Sequence, residues 1–302
     1  MTTNVFVGAN GVPNPPNPWP GMNMLWTGYD GSVWDLTTGR TGACMLAGVR
    51  GLTMPAVTHH KSSSPAVAGA RWRGSSTAER EVFWPIQIYH DTSSEEWVAR
   101  DRAFWATLQP HRTGVWSVIQ PSGERRTLTL RFRDDGQAAF NYDPAMTGWM
   151  NYGITLDAEQ PYWEGASISA TWRAGSPTSF FGGASVVTIA SGQEATSAKI
   201  DNPGDVPTYP VWTLTGPLSA ASLGINGRSI NIGFSIASGQ TLVIDTSPSA
   251  LTAMMGGVDR IASLGTSDFA PVPAGSNIPI TLAVVGSGTV QMDIAPLYYR
   301  AW

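Results

Sequence analysis

Residues 79–133 hold the clearest sequence of hydrophobic and polar patterns in the chain. Glu81–His90 reads as a strand in which Phe83, Pro85, Gln87 and Tyr89 share one face. Ser93 stands three residues before Glu96, the spacing of a capping box. Trp97, Asp101, Phe104, Trp105 and Leu108 then recur at helical intervals, an apolar stripe broken once by an acid, and predict a helix over about 94–109. Pro110 stops it, because proline has no N–H and disfavours helical geometry in the residue before it. Val115–Ile119 leads through the turn Gln120-Pro-Ser-Gly123 into Thr127–Arg133. That last run alternates strictly, with Leu128, Leu130 and Phe132 facing one way and Thr129, Arg131 and Arg133 the other. A helix carrying two tryptophans beside such strands is expected to cover a sheet.

Other elements are shorter. Met24–Tyr29 and Ser32–Leu36 flank Asp30-Gly31, which predicts a hairpin with a type I′ turn. Residues 14–20, Asn-Pro-Pro-Asn-Pro-Trp-Pro, predict an extended leader. Residues 53–78 contain the run Ser62–Ala70, rich in serine, alanine and glycine, and predict a loop or arm. Strand candidates then recur at Ser167–Trp172, Ser185–Ile189, Thr196–Asp201, Val211–Thr215, Ser229–Ile236, Gln240–Asp245, Ile278–Val285 and Thr289–Ile294. Turns such as Asn226-Gly227 separate them, a pattern that predicts a two-sheet sandwich or jelly roll.

Charge marks the division of the chain. Residues 166–302 hold 5 basic and 7 acidic side chains, against 13 and 15 in residues 1–165. Two domains, 1–165 and 166–302, are therefore expected. With 33 glycines, 22 prolines and only 13% charged residues, the 302-residue chain has the composition of a turn-rich β protein. A net charge of −4 argues against nucleic acid as the main partner and against sequence-specific binding to it. No run reaches membrane-spanning length, and the N-terminus lacks the basic and apolar regions of a signal peptide. Cys44 is the lone cysteine, so no internal disulfide forms.

Candidate chemistry is sparse. His59 and His60 adjoin Lys61 in the expected loop, while His90 and His111 bracket the helix, and none has metal-ligand spacing. Cys44 lies in an apolar run without a neighbouring histidine, which suits a buried thiol better than a nucleophile. Asp134-Asp135-Gly136 could pair carboxylates or open a calcium loop, but Asp-Gly after an alternating strand is first a turn. Ser62–Ser64 and Ser75-Ser76 lack a nucleophile elbow. The sequence thus assigns no catalytic, metal or cofactor residue. Thirteen tryptophans invite a sugar-stacking reading; against it, Trp84, Trp97, Trp105 and Trp116 fit a first core and Trp172 and Trp212 a second. Arg126, Arg131 and Arg133 could face a channel, a neighbouring subunit or only solvent.

The segment Asp201–Pro217 is similar to one found in the distal tail and minor tail proteins of phages with long, non-contractile tails. Asn202, Gly204, Pro210 and Thr215-Gly-Pro217 carry the likeness. Ser229–Phe234, Ser238–Thr246 and Pro273–Asn277 follow in the order of that family. Trp34-Asp-Leu36, Gly48–Leu52, Arg80-Glu81, Glu96-Trp97, Trp105, Leu108 and Pro110 extend it through the first half. The resemblance implies a mainly β fold, with an N-terminal sandwich-like ring domain bearing one helix and a C-terminal galectin-like sandwich. It further implies a structural, non-enzymatic hub at the virion tail tip, assembled in the host cytoplasm. Its partners would be further copies in a hexameric ring, the tail tube protein, a tail-tip protein and the tape measure protein. No membrane partner and no cofactor are implied, and a host glycan is a possible ligand. Two alternatives stay open: a carbohydrate-binding module for the bacterial surface, and a glycan-degrading enzyme using Asp134 or Asp135. The leader and residues 53–78 are expected to contact neighbouring subunits, while no interface residue is assigned.

Overall fold

The computed structural model describes residues 18–136, 140, 142–174, 186–189 and 198–302. The leader up to residue 17, Ser185, and the start of the strand expected from Thr196 lie outside the described residues. The chain is mainly β and divides into two compact units, one formed by residues up to 164 with 299–302, the other by Gly165–Tyr298.

The first unit contains β1 (Asn23–Thr27), β2 (Val33–Asp35), β3 (Ala43–Met45), β4 (Val57–Ser64), β5 (Val67–Thr77) and β6 (Arg80–Tyr89). Helix α1 (Ser94–Ala106), β7 (Thr113–Ile119), β8 (Arg125–Asp134), the single-turn α2 (Pro144–Thr147), β9 (Trp149–Ala158) and β10 (Trp163–Glu164) follow. The main sheet runs β2-β1-β7-β8-β9-β6-β3, and β10 adds to β8 through Glu164 opposite Thr127. It curls until its two ends meet, where the Met45 N–H donates to the Leu36 carbonyl at 2.6 Å.

Strand alternation explains what lies inside the curl. Val82, Trp84, Ile86 and Ile88 of β6 point into the core, leaving Phe83, Pro85 and Tyr89 half-covered on the other face. Trp26, Trp84, Trp116 and Trp163 form a chain of ring contacts with centroids 5.2, 5.3 and 5.0 Å apart, the first two edge to face. Each such pair adds about 0.5–1.5 kcal/mol beyond the burial itself.

Helix α1 begins where the sequence places it, with the Ser93 hydroxyl accepting from the Glu96 N–H at 3.2 Å. Glu96 does not complete the box; its carboxylate lies 3.6 Å from His90 Nε2. The helix ends at Ala106, before the expected 109, because the Thr107 N–H closes onto the Phe104 and Trp105 carbonyls. Trp97 and Phe104 are buried against the sheet, with Trp34 packed edge to face on Phe104 at 5.2 Å. The acid within the apolar stripe has a partner: the Tyr152 hydroxyl donates to Asp101 Oδ1 at 2.7 Å. Burial raises the Asp101 carboxyl above its ordinary value of 3.8.

Two local expectations change. Gly31 takes a φ of 83°, but Asp30 does not enter the left-handed region, so the turn is not type I′. The Asp30 carboxylate instead accepts from the N–H and hydroxyl of Ser32 at 3.0 and 2.7 Å, holding the loop as an Asx turn. Residues 53–78 are not an unstructured loop either, because β4 and β5 pair along their length. Their sequence hides this. No core lies beneath them, so no apolar alternation marks the strands.

The second unit contains β11 (Ile168–Ala174), β12 (Val186–Ile189), β13 (Ala198–Asn202), β14 (Val211–Thr215), β15 (Leu218–Ile225) and β16 (Arg228–Ile232). It continues with β17 (Thr241–Asp245), β18 (Thr252–Met255), β19 (Val258–Asp259), β20 (Gly275–Gly286) and β21 (Thr289–Ile294). Sheet β12-β11-β21-β14-β17-β18-β19 packs on sheet β13-β20-β15-β16 around one core to which both contribute, including Trp212 and Met292 from the first and Leu223 and Leu282 from the second. This is a sandwich. Strand β15 escapes the sequence pattern because a bulge between Leu218 and Ala220 breaks its period of two, leaving Leu218, Ala221, Leu223 and Ile225 inward. Asn202 is fully buried and organises the turn after it, donating to the Val206 and Val272 carbonyls and accepting from the Gly204 N–H.

Two outcomes test this packing. A Cβ at Gly114 would lie 2.2 Å from the Trp26 ring and 2.7 Å from the Thr27 carbonyl, so Gly114→Ala is expected to destabilise the first unit by about 1–3 kcal/mol in denaturant unfolding. Asp101 holds its proton more tightly when folded. Its contribution is complete below the ordinary carboxylate pKa and is lost as pH rises through the raised folded value. The melting temperature of Asp101→Asn should therefore gain on that of the wild type between pH 3 and pH 7.

Candidate interaction surface

The β4–β5 hairpin is the part of the described structure least explained by the fold's own packing. Its strands pair from Val57 opposite Thr77 to Ser64 opposite Val67, yet nearly all of its side chains are exposed. At about 3.3 Å per residue it extends on the order of 30 Å. A two-stranded ribbon without a core beneath it is marginal in water.

Its root is held firmly. Arg80, the first residue of β6, is almost fully buried, yet its guanidinium meets carbonyl oxygens and no carboxylate. Nε donates to Pro161 at 2.6 Å, Nη1 to Gly51 at 2.7 Å and also to Thr53, and Nη2 to Tyr299 at 2.8 Å. Burial lowers its pKa to about 10, so the cation persists at neutral pH. Thr53 enters the hairpin and Arg80 leaves it. One side chain therefore ties both ends of the arm to the last residues of the chain. The Tyr162 hydroxyl adds a bond to Thr77 Oγ1 at 3.1 Å.

The arm has two unlike faces. On one, Trp72 stands opposite Lys61, and its Nε1–H donates to His59 Nδ1 at 3.3 Å. On the other, Arg71 stands opposite Ser62, and Arg73 Nε donates to Ser62 Oγ at 2.9 Å. Arg71 and Arg73, two residues apart, share that side, with His60 hydrogen-bonded to Ser76. Of thirteen tryptophans, Trp72 alone is exposed, at 60%, and Val67 near the tip is 69% exposed. A tryptophan left in water on an unsupported ribbon marks a contact surface.

The charge of this region is equally distinct. Residues 36–78 contain Arg40, Arg50, Lys61, Arg71 and Arg73 and no aspartate or glutamate, although the whole chain carries −4. That span is the signal that could have exposed the arm from sequence. Division of the charge count at residue 165 averaged it away.

The other candidates find ordinary places. His59 and His60 lie on β4 with the partners above, and His90 accepts from the Thr92 N–H. His111 is exposed, and among the described residues no group of histidine, cysteine or acid side chains is arranged to hold a metal. Cys44 is buried in β3, where burial pushes its thiol pKa up, the opposite of nucleophile activation. Asp134 ends β8, and Gly136 after Asp135 takes a φ of 67°, as a turn requires. Arg126, Arg131 and Arg133 are engaged by Glu124, by Glu159, and by Glu81 with Asp157. Trp172 and Trp212 lie inside the sandwich and present no ring to a sugar.

No protein-family model matches the chain, and no curated protein does. Solved structures do. The Dit (gp 19.1) protein of phage SPP1, described as a paradigm of the hub adsorption apparatus in phages infecting Gram-positive bacteria, is similar with a TM-score of 0.62. That likeness covers 90% of this chain and 98% of the other at 13% identity. The phage P2 baseplate in its activated conformation with calcium is similar over 90% of this chain and 97% of that one, at 12% identity and a TM-score of 0.55. The strontium form gives 0.54 over the same shares at 12% identity. At these identities the likeness is one of fold, and it spans both units.

Arg80→Met should orphan carbonyls at residues 51, 53, 161 and 299 and cost about 3 kcal/mol in chemical unfolding. Arg80→Lys should cost less, since an ammonium supplies three donors without the planar fork. Trypsin cleavage at Lys61, Arg71 and Arg73 should accelerate in the methionine variant.

Proposed function

We propose that the protein is a structural hub of a phage tail tip, acting by assembly and not by catalysis. Copies associate head to tail into a closed, hexameric ring. One face of that ring meets the tail tube and the other the tail-tip proteins. The central opening passes the tape measure protein and then DNA. The protein accordingly resides in the virion, at the distal end of the tail, after assembly in the host cytoplasm. The observation that carries this reading is the fold shared with the SPP1 Dit hub protein and the P2 baseplate across nine-tenths of the chain.

The arm gives the assembly a physical means. Its Trp72 face, which also carries His59 and Lys61, exposes a large apolar ring on a ribbon that is rooted on a buried cation and unsupported by its own unit. In the ring that face docks on the next copy, consistent with the expected subunit contact of residues 53–78. The second unit is a sandwich, and its buried tryptophans remove the feature that favoured a carbohydrate-binding module.

Light scattering on the purified full-length chain tests this. A mass near six monomers is expected, and Trp72→Ala should reduce it to the monomer with an unchanged melting temperature. Retention of the full mass by Trp72→Ala would remove the arm from the interface.

A further inference from the structure

We propose that the Arg71–Arg73 face of the arm is a binding surface for the phosphodiester backbone of a nucleic acid, recognising charge and not sequence. Four observations converge on it. The face carries two guanidiniums, the Ser62 and Ser76 hydroxyls and the His60 imidazole, all groups that donate to phosphate oxygens. Among the described residues no carboxylate forms an ion pair with Arg71 or Arg73, so neither guanidinium is neutralised within the chain. The span 36–78 is free of acids in a chain whose other residues hold 22 carboxylates. A concavity of about 480 Å³ at the arm's far end is lined by Ser62, Ser63, Ser64, Arg71 and Arg73, with the turn residues beside it.

Arrangement matters as much as composition. Arg73 Nε is committed to Ser62 Oγ, which restrains the guanidinium and keeps its two Nη groups out of that bond. A planar fork held in this way suits the paired oxygens of a phosphate. The two faces of the ribbon are opposed, so Trp72 can meet protein while the arginines meet a polyanion. The exposed indole goes to one partner and the two guanidiniums to the other. The net charge of −4 excludes a generally basic protein, and it leaves room for a local basic ribbon. Backbone contacts of this kind carry no sequence information.

Phosphate binding by this face stands apart from the ring reading, and the test reads the two separately. Full-length protein is titrated into a fluorescent duplex of about 20 base pairs in a salt series, with light scattering on the same samples. The wild type should bind with a strong inverse dependence on salt. Arg71→Ala/Arg73→Ala should weaken binding at least about tenfold at low salt and flatten the slope of log K against log salt by about 1.8, two contacts at 0.9 each. Trp72→Ala, expected to dissociate the ring, serves as the background for the same pair of substitutions, which removes any contribution from avidity. The proposal fails if the wild type does not bind the duplex at low salt, or if the double variant binds as the wild type does. It also fails if the double variant dissociates the ring but leaves duplex binding by the Trp72→Ala chain unaltered, which would assign the face to a second copy. If the wild type itself never forms a ring yet binds the duplex through these arginines, the hub reading fails and this one stands.

Discussion

The first unit is organised around a buried cation that meets carbonyl groups and, among the described residues, no carboxylate. Removing a guanidinium from water is costly, and Arg80 offsets that cost with carbonyl groups drawn from residues 51, 53, 161 and 299. Those four carbonyls come from three segments far apart in sequence, 51–53, 161 and 299, so satisfying one side chain fixes where each segment can go. The arm leaves the body after Thr53 and returns before Arg80 itself, and residues 299–302 are tied in by the bond to Tyr299. Ala301 adds its N–H to the Leu52 carbonyl at 2.9 Å, and Arg126 donates to the Arg300 carbonyl. The terminus is therefore part of the first unit's framework.

Around that anchor, aromatic packing and charge are kept apart. Tryptophans fill the curled sheet, and α1 closes it with Trp97 and Phe104. Acids and arginines pair on the outer positions of β6, β8 and β9, where solvent reduces each pair to a small contribution. The arm departs from this arrangement. It exposes its tryptophan and lies in a span that holds cations and no acid, and that combination separates a contact surface from an ordinary solvated one.

Much of the fold was legible because burial imposes a period. Val211–Thr215 and Thr289–Ile294 occupy the expected positions, since each alternates between core and solvent, and Ser93 caps α1 as its spacing demanded. Where burial is absent or the period breaks, the sequence misleads. Strand β15 was hidden by a bulge, and β4 and β5 by the lack of any core beneath them. Asp30-Gly31 suggested a type I′ turn because residue preference does not reveal whether a carboxylate will bond to the N–H two residues on. The arm as an element, and Arg80 as its anchor, needed three dimensions. The acid-free span that marks the same region was present in the sequence, but it emerges only when charge is counted in windows shorter than a domain.

The proposed hub function requires that the chain close into a ring, and electron microscopy of end-on particles tests this most directly. Full-length protein, imaged alone and with a phage tail tube protein, should give six-fold rings with an open centre. Particles that stay monomeric even with the tube protein present, or that form open filaments, would contradict the account.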